Sequence, residues 1–251
     1  MRGSIIKRGN RYSVVLDLGR DPVSGKRKRD WHSGFLTRQD AEAAQIDLLW
    51  RFQKGTYISR SRQVLGEFLL QTWLPAAKPT VRASTFQSYE HNTLKHVVPR
   101  IGGIALQDVT PAMLNIMYSE LLANGRLDGR GGLAPKTVHY IHTILHRAFR
   151  DACKWNLLAR NPATSADPPK PTAARDMKTW SASELNTFLD QLKGTRVYPV
   201  MLVLATTGMR RGEVLGLRWA DVDLDLKTVA IQQTVISVAY NVQYSKPKTE
   251  R

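Results

Sequence analysis

The sequence predicts a mixed, mainly α fold. A small three-stranded β-sheet with one helix is expected first, then a four-helix bundle, then part of an α+β domain. Three observations support this: short runs of period two near the N-terminus, apolar residues at helical spacing in the middle of the chain, and a proline-rich stretch before a further mixed segment. The length of 251 residues is sufficient for more than one compact domain.

Residues 1–58 are predicted to form the sheet and its helix. Strands are expected at 4–8, 11–17 and 26–33, because Gly9-Asn10 and residues 21–25 have the composition of turns. Thr37 is a candidate N-cap for a helix from Arg38 to Lys54. Its apolar stripe should pack on the sheet and contains Ala41, Ala44, Leu48, Leu49 and Phe52.

Residues 62–163 are predicted to form the bundle. One helix is expected from Val64 to Trp73, ended by Pro75, and another from Thr85 to Val98, ended by Pro99. Thr110-Pro111 and Pro135 have the composition of helix starts. The core face of the last helix is predicted to contain Val138, Ile141, Leu145, Ala148, Phe149 and Ala152.

Residues 164–178 are predicted to be a linker, because Pro168, Pro169 and Pro171 favour an extended path. A partial α+β domain should follow over residues 179–251. The spacing of Ser181 and Glu184 predicts a capping box before a helix at 183–192. The apolar run 197–205 predicts a buried core helix, and residues 227–233 and 235–244 alternate enough to be two strands.

The composition indicates a polyanionic partner. The chain has 37 Lys and Arg against 21 Asp and Glu, a formal charge of +16, and most of the excess lies before residue 164. No segment is apolar enough to span a bilayer. The lone Cys153 excludes internal disulfides and cysteine-rich zinc sites, and it is typical of a reducing cytoplasm. Nucleic acid is therefore the expected partner and the cytoplasm the expected location.

Two further clusters have alternative interpretations. Lys26, Arg27, Lys28 and Arg29 lie on a predicted strand, so they either read base edges in the major groove or contact phosphates without sequence preference. His139, His142 and His146 share one helix face without a Cys or carboxylate, so no metal site is expected there. With the nearby Arg147, this face is expected either to approach DNA or to be an ordinary solvated or half-buried surface.

The most informative stretch is residues 207–223, T-G-M-R-R-G-E-V-L-G-L-R-W-A-D-V-D. An apolar helix should end at Gly208 and a new helix begin near Arg211, so that Arg210 projects from a turn. A guanidinium held there can clamp a phosphate through two parallel hydrogen bonds, with Glu213 fixing its rotamer. The alternative is an ordinary local ion pair, contributing ~0.2–0.5 kcal/mol.

This stretch resembles the first catalytic box of phage integrases, the tyrosine recombinases. The resemblance implies that Arg210 contacts the scissile phosphate and that Glu213 supports it. Residues 3–12 and 21–27 resemble the arm-type DNA-binding domain of the same family. Further along the chain, the resemblance is to the SAM-like core-binding domain of the family, and it lies at Thr85, Tyr89 and residues 99–102, 135–149 and 161–163. The expected DNA-binding residues are Lys26, Arg27, Lys28, Arg29, Arg82, Thr85, Lys136, Thr137 and Arg147.

The family also has a lysine on a β-hairpin that protonates the leaving 5′-oxygen. The resemblance implies Lys248 for this role, with Lys246 as the rival and a merely charged terminus as the alternative. The second family box, His-x-x-Arg, and the nucleophilic tyrosine have no match, since all six histidines precede Lys248. We therefore expect a chain truncated before the last catalytic boxes and inactive in strand cleavage by itself.

The resemblance implies site-specific integration of mobile DNA without a metal or nucleotide cofactor. The implied partner is duplex DNA at attachment and arm-type sites, bound by a homo-tetramer in the intact family. The alternative function is a non-catalytic remnant or regulator that occupies such sites. RNA binding is a more distant alternative, since the sequence lacks an aromatic-rich RNA-binding pattern.

Overall fold

The computed structural model describes residues 3–20, 25–54, 57–171, 178–238 and 241–247, and the side chain of Lys28 is not among the described groups. The chain divides into two compact units. One contains residues 1–75 and 92–171, and the other contains residues 76–91 and 172–251. The division into domains at 1–58, 62–163 and 179–251 remains a prediction.

The first unit begins with an antiparallel sheet in the order β1-β2-β3: β1 is Gly3–Arg8, β2 is Arg11–Arg20 and β3 is Arg27–Phe35. In the register, Ile5 is opposite Val14 and Leu16 is opposite Asp30. The pairing of β2 with β3 is irregular at Tyr12/Ser13 and between Asp17 and Arg20. Such irregularities add local twist.

Helix α1, Arg38–Gln53, covers one face of this sheet. As predicted, Thr37 caps it, and its hydroxyl accepts a hydrogen bond from the Asp40 N–H at 3.1 Å. Val14, Leu16 and Ala41 are buried between sheet and helix, with Ala44, Leu48 and Leu49 packed against them. Phe52, the last residue of the predicted stripe, is instead 39% exposed. The opposite face of the sheet has no helix against it among the described residues.

The predicted ends of the next two helices are wrong, because both helices continue through their prolines. Helix α2 consists of Leu65–Glu67, a π-helical segment Phe68–Trp73, and Leu74–Ala77. Helix α3 consists of Ala83–Asn92, a π-helical segment Thr93–Val97, and Val98–Ile101. The residue before each proline donates to a carbonyl five residues back, Leu74 to Leu69 and Val98 to Thr93. The wider turn relieves the clash that a proline ring causes in a regular α-helix.

Helices α4, Pro111–Asn124, and α5, Pro135–Lys154, complete the bundle. The Thr110 hydroxyl caps α4 by accepting from the Met113 N–H at 3.3 Å. All six residues predicted for the core face of α5 are buried. They share the core with Leu65, Phe68, Leu69, Trp73, Leu114, Met117 and Leu121. After α5, Pro162–Ser165 form a 3₁₀ turn, and the Asp167 N–H donates to the Asn115 side chain at 2.8 Å, so the first residues of the predicted linker pack on the bundle.

Where the structure describes the second unit after residue 178, its α-helices are α6, Ala182–Leu192, α7, Tyr198–Thr207, and α8, Arg211–Leu215. The capping box of α6 is confirmed, with the Ser181 N–H donating to Glu184 at 2.7 Å and the Glu184 N–H donating to the Ser181 hydroxyl at 3.3 Å. The expectation that α7 is a buried core helix is wrong. Its residues 200–204 are half-buried. The prediction failed because hydropathy describes the composition of a helix and not how much of its surface the neighbouring elements cover.

The strands of the second unit also differ from the prediction. A single strand over 235–244 is wrong, because these residues form a hairpin of β6, Thr234–Val238, and β7, Asn241–Ser245. Period-two alternation continues through both arms, so the pattern did not reveal the reversal. Of 227–233, only Thr228–Val229 form a strand (β5), paired with Val222–Asp223 (β4). Lys227 adopts the left-handed region with φ +52° at the end of the turn between β4 and β5, so this strand begins one residue later than predicted.

Candidate nucleic-acid interface

The position of Arg210 follows from how one helix ends and the next begins. Gly208 ends α7 with φ +65°, a conformation that costs glycine little, and its N–H donates to the Leu204 carbonyl at 3.2 Å. Arg210 then takes an extended conformation as the N-cap of α8. The end of α7 at Gly208 and the start of the next helix near Arg211 were predicted from the sequence. This order places the Arg210 guanidinium beside the first turn of α8.

Glu213 fixes Arg210 in two ways. One carboxylate oxygen accepts from the Arg210 guanidinium at 2.8 Å, and the other accepts from the Arg210 backbone N–H at 2.8 Å. The backbone bond first, and then the guanidinium bond, hold the pKa of Glu213 below its ordinary value. The Glu213 side chain is only 8% exposed, whereas that of Arg210 is 65% exposed. The result is an oriented cation that remains accessible to an anion.

Arg210 lies in a cleft of about 450 Å³. One wall is Arg82 with the first residues of α3, and the other is the β6–β7 hairpin. Gly212 allows the hairpin to approach α8, since a Cβ at this position would lie 2.6 Å from both the Thr234 hydroxyl and the Val235 carbonyl. The Arg82 guanidinium donates to the Pro247 carbonyl at 3.2 Å. Lys246 follows β7, and Lys248 lies outside the described residues.

A second arginine–carboxylate pair was not singled out from the sequence. Arg218 bonds both oxygens of Asp221, at 2.8 and 2.7 Å, and the Asp221 side chain is 5% exposed. Hydrogen bonding from Arg218 lowers the pKa of Asp221. The sequence did contain a sign of this pair, because the spacing of Arg210 and Glu213 repeats at Arg218 and Asp221. This pair orders the turn that leads to β4, where the Asp221 carbonyl accepts from the Ala230 N–H at 2.8 Å.

The uncovered face of the N-terminal sheet is basic and aromatic. We define the open sheet face as Ile6, Arg8, Arg27, Arg29 and Trp31. The Arg8 guanidinium lies 4.7 Å from the centre of the Trp31 ring. Arg27 pairs with Asp17 at 2.9 Å, and Arg29 lies opposite Asp17 in the register. Arg27 and Arg29 are thus on one face, and Lys26 is exposed just before β3.

Tyr57 forms a polar cluster with the end of the sheet that the sequence did not predict. Its hydroxyl donates to the Asp30 carboxylate and lies 3.0 Å from His32 Nε2. Burial, followed by the Asp30 carboxylate, raises the pKa of Tyr57 well above its ordinary value. Burial lowers the pKa of His32, an effect that Asp30 opposes. The cluster ties the segment after α1 to the sheet, beside a cleft of about 860 Å³ that is also lined by Arg51, Arg60 and Arg160.

The remaining predicted DNA-binding residues are not gathered at one point. Thr85 is half-buried in the first turn of α3. On α5, Lys136 is exposed and Thr137 is half-buried. Arg147 lies 4.0 Å from Asp151, which also accepts from the Trp73 indole at 3.0 Å. Arg147 therefore has a structural contact of its own, independent of any role at DNA.

The three histidines of α5 form a stack. Ring centres of His139 and His142 are 6.0 Å apart, and those of His142 and His146 are 5.9 Å apart. His142 Nδ1 shares a hydrogen bond with the Tyr118 hydroxyl at 2.9 Å. Burial first, and then the neighbouring histidines, lower the pKa of His142. Within the described ranges, no three His, Cys, Asp or Glu side chains are grouped to hold a metal ion, and no helix is long and apolar enough to cross a membrane.

Comparison with protein families gives two matches. Residues 4–49 match the arm DNA-binding domain, and residues 65–122 match the N-terminal SAM-like domain of phage integrases. A XerC-like tyrosine recombinase from Caldanaerobacter subterraneus is 27% identical over 241 residues, which is 93% of this chain and 59% of that protein. The ICEBs1 integrase from Bacillus subtilis is 26% identical, covering 95% of this chain and 63% of that protein. The chain thus spans about six tenths of the length of these relatives.

Solved structures show the same fold. The Tn1549 transposon integrase in complex with circular intermediate DNA matches with a TM-score of 0.60 and 17% identity, over 74% of this chain and 58% of that one. A lambda integrase dimer bound to a COC′ core site matches with a TM-score of 0.52 and 16% identity, over 96% of this chain and 65% of that one. The two domain matches and these relatives make the chain similar to the phage integrases, the tyrosine recombinases, over more than nine tenths of its length.

Proposed function

We propose that this chain binds duplex DNA in the site-specific recombination of mobile DNA, with Arg210 clamping a backbone phosphate. The observation that carries the proposal is the Arg210–Glu213 pair, in which an almost buried carboxylate orients an exposed guanidinium in a cleft. An arginine fork matches the geometry of a phosphate and stays charged at any physiological pH. The names of the relatives, integrase and tyrosine recombinase, support the reaction class.

The open sheet face is proposed as a second DNA contact. A small β-sheet can enter the major groove, and exposed arginines beside an aromatic ring suit a surface that meets both phosphates and bases. Lys26, Lys28, Arg82, Thr85, Lys136, Thr137 and Arg147 are proposed as further contacts. Lys248, or in its place Lys246, is proposed as the general acid that protonates the 5′-oxygen when the tyrosine nucleophile of the family attacks the phosphate, and no residue of this chain is proposed for that nucleophile.

The partner is proposed to be duplex DNA at attachment and arm-type sites, bound in the cytoplasm. One solved structure of similar fold is a lambda integrase tetramer bound to a Holliday junction, and we propose a homo-tetramer on DNA for this protein too. A role in occupying sites without cleavage would use the same surfaces. Covalent attachment of the chain to attachment-site DNA, assayed on a denaturing gel, would favour recombinase activity over occupancy alone.

The experiment that tests the DNA contact is fluorescence anisotropy with a labelled duplex. Arg210→Ala should weaken binding several-fold, because one charge-assisted phosphate contact is lost. Arg196→Ala is the matched control, since Arg196 is an exposed arginine of the same unit outside the cleft lining. Equal affinity of Arg210→Ala and the unchanged protein would contradict the proposed role of Arg210.

A further inference from the structure

The cleft around Arg210 contains a second arginine, Arg82, that has no ion-pair partner among the described side chains. Glu213 is the only acidic residue among the described side chains that line the cleft, and Arg210 engages both of its carboxylate oxygens. Within the described residues, no carboxylate lies within ion-pair distance of Arg82, which is exposed at the start of α3. Among the described residues, two guanidinium groups therefore face one space with a single counter-charge, which Arg210 already engages.

Arg82 also connects the cleft to the end of the hairpin. Its Nη2 atom donates to the carbonyl of Pro247, 165 residues away in the sequence. A guanidinium has five N–H donors, so one bond to a carbonyl leaves donors for an anion. Pro247 immediately precedes Lys248 in the sequence. The bond holds Pro247, the last described residue of this segment, beside Arg82.

We propose that Arg82 binds the same DNA phosphate as Arg210 and positions the end of the β6–β7 hairpin beside it. This inference rests on the proposed function and adds to it the phosphate that Arg82 contacts and a positioning role for Arg82. A phosphodiester carries one negative charge and several acceptor oxygens, so it can accept hydrogen bonds from two guanidinium groups and relieve their repulsion. The arrangement makes Arg82 a phosphate-binding and positioning residue.

The test measures the affinity of the 251-residue chain for a labelled duplex over a range of salt concentrations. The slope of log affinity against log salt reports about 0.9 counterions for each phosphate neutralised. Because Arg82 and Arg210 are proposed to share one phosphate, either arginine alone still neutralises part of its charge. We expect Arg82→Ala and Arg210→Ala each to reduce the slope by less than about 0.9, and the double variant to reduce it by about 0.9 in total.

Two further variants separate phosphate binding from a purely structural role. Arg82→Lys retains the charge and should restore most of the slope, although a single ammonium group replaces the fork. Arg196→Ala should leave the slope unchanged. Hydrogen exchange of residues 241–247 should be faster in Arg82→Ala, because the bond to Pro247 is lost. A slope change that Arg82→Lys does not rescue would show that Arg82 acts only through the fold and would overturn the inference.

Three other outcomes of the salt titrations would also overturn the inference. A slope loss of about 1.8 in the double variant would show two separate phosphates and overturn the shared site. A normal slope in Arg82→Ala, with a reduced slope in Arg210→Ala, would overturn the inference and leave the proposed function standing. If the unchanged chain shows no salt-dependent binding to the duplex, the proposed function itself fails and this inference fails with it.

Discussion

At the scale of single residues, short-range contacts fix the orientation of two arginine side chains. Glu213 reaches back three residues to both the backbone and the side chain of Arg210, and Asp221 does the same for Arg218. In each case the carboxylate is nearly buried and the arginine remains exposed. The short spacing makes such pairs visible in the sequence, but burial of the acid depends on the hairpin and turn that cover it.

Glu213→Gln should lower the thermal unfolding midpoint at neutral pH, because a charge-assisted pair of hydrogen bonds is weakened. The pKa of Glu213 is lowered in the folded state, so its contribution is present above the unfolded value near 4.5 and is lost as pH falls through the folded value. The difference in midpoint between the two proteins should therefore shrink below about pH 4.5. Unfolding scans from pH 7 to pH 3 measure it, and a constant difference would contradict this account.

His142 should make stability depend on pH in a higher range. Its pKa is lowered in the folded state, so the unfolded chain takes up a proton first, and stability falls as pH drops below about 6.5. His142→Gln should flatten this part of the profile. An unchanged slope between pH 7.5 and pH 5.5 in His142→Gln would show that the other groups titrate there.

At the scale of elements, the geometry depends on the π-helical turns in α2 and α3 and on the close approach of α8 to the β6–β7 hairpin. The π-helical turns before Pro75 and Pro99 let two helices continue where proline normally ends a helix. The sequence gives no periodic sign of a π turn, since five or six residues of slightly wider helix keep the same apolar stripe. The ends of α2 and α3 could therefore not be predicted from pattern, whereas the starts at Thr110 and Ser181 could, because a capping hydroxyl is a local feature.

Gly212→Ala tests the packing of α8 on the hairpin. The added Cβ would lie 2.6 Å from the Val235 carbonyl, which is backbone and cannot move alone. We expect a loss of about 1–3 kcal/mol in the free energy of unfolding of the second unit, as for other overpacked sites. Gly103→Ala is the control, because a Cβ there meets nothing within 4 Å. Urea titrations of both variants measure the difference, and equal stabilities would contradict the steric argument.

Arg27→Ala combined with Arg29→Ala tests how the open sheet face meets DNA. If the face reads base edges, the double variant should lose preference for its target over other sequences. If it contacts only phosphates, affinity should fall by a similar factor for every sequence. Competition between a target duplex and a scrambled duplex of equal length distinguishes these outcomes. No change with either duplex would exclude the face as a DNA contact.

At the scale of the whole molecule, the charge excess sets the expected partner and the strength of binding at low salt. With a formal charge of +16, six or more phosphates are expected to be neutralised in the complex. Affinity should then fall on the order of a thousandfold between about 50 and 200 mM salt. Titrations at constant pH with a duplex of fixed length measure this, and affinity independent of salt would contradict a phosphate-based interface.

The sequence by itself determined the fold class, the basic character of the chain, most helix starts and the pairing of Arg210 with Glu213. These features depend on periodicity, composition or contacts within four residues, and such short-range properties are present in the sequence directly. The family resemblance rested on several local motifs, of which residues 207–223 are the most informative.

Only the tertiary structure decided which residues share the Arg210 cleft. Arg82 and Pro247 are 165 residues apart, and no local pattern predicts their contact. The same holds for the Tyr57–Asp30–His32 cluster, for the half-covered state of α7 and for the hairpin within 234–245. The reason is physical: burial and long-range contacts depend on what each element packs against, whereas a sequence pattern describes only the element itself.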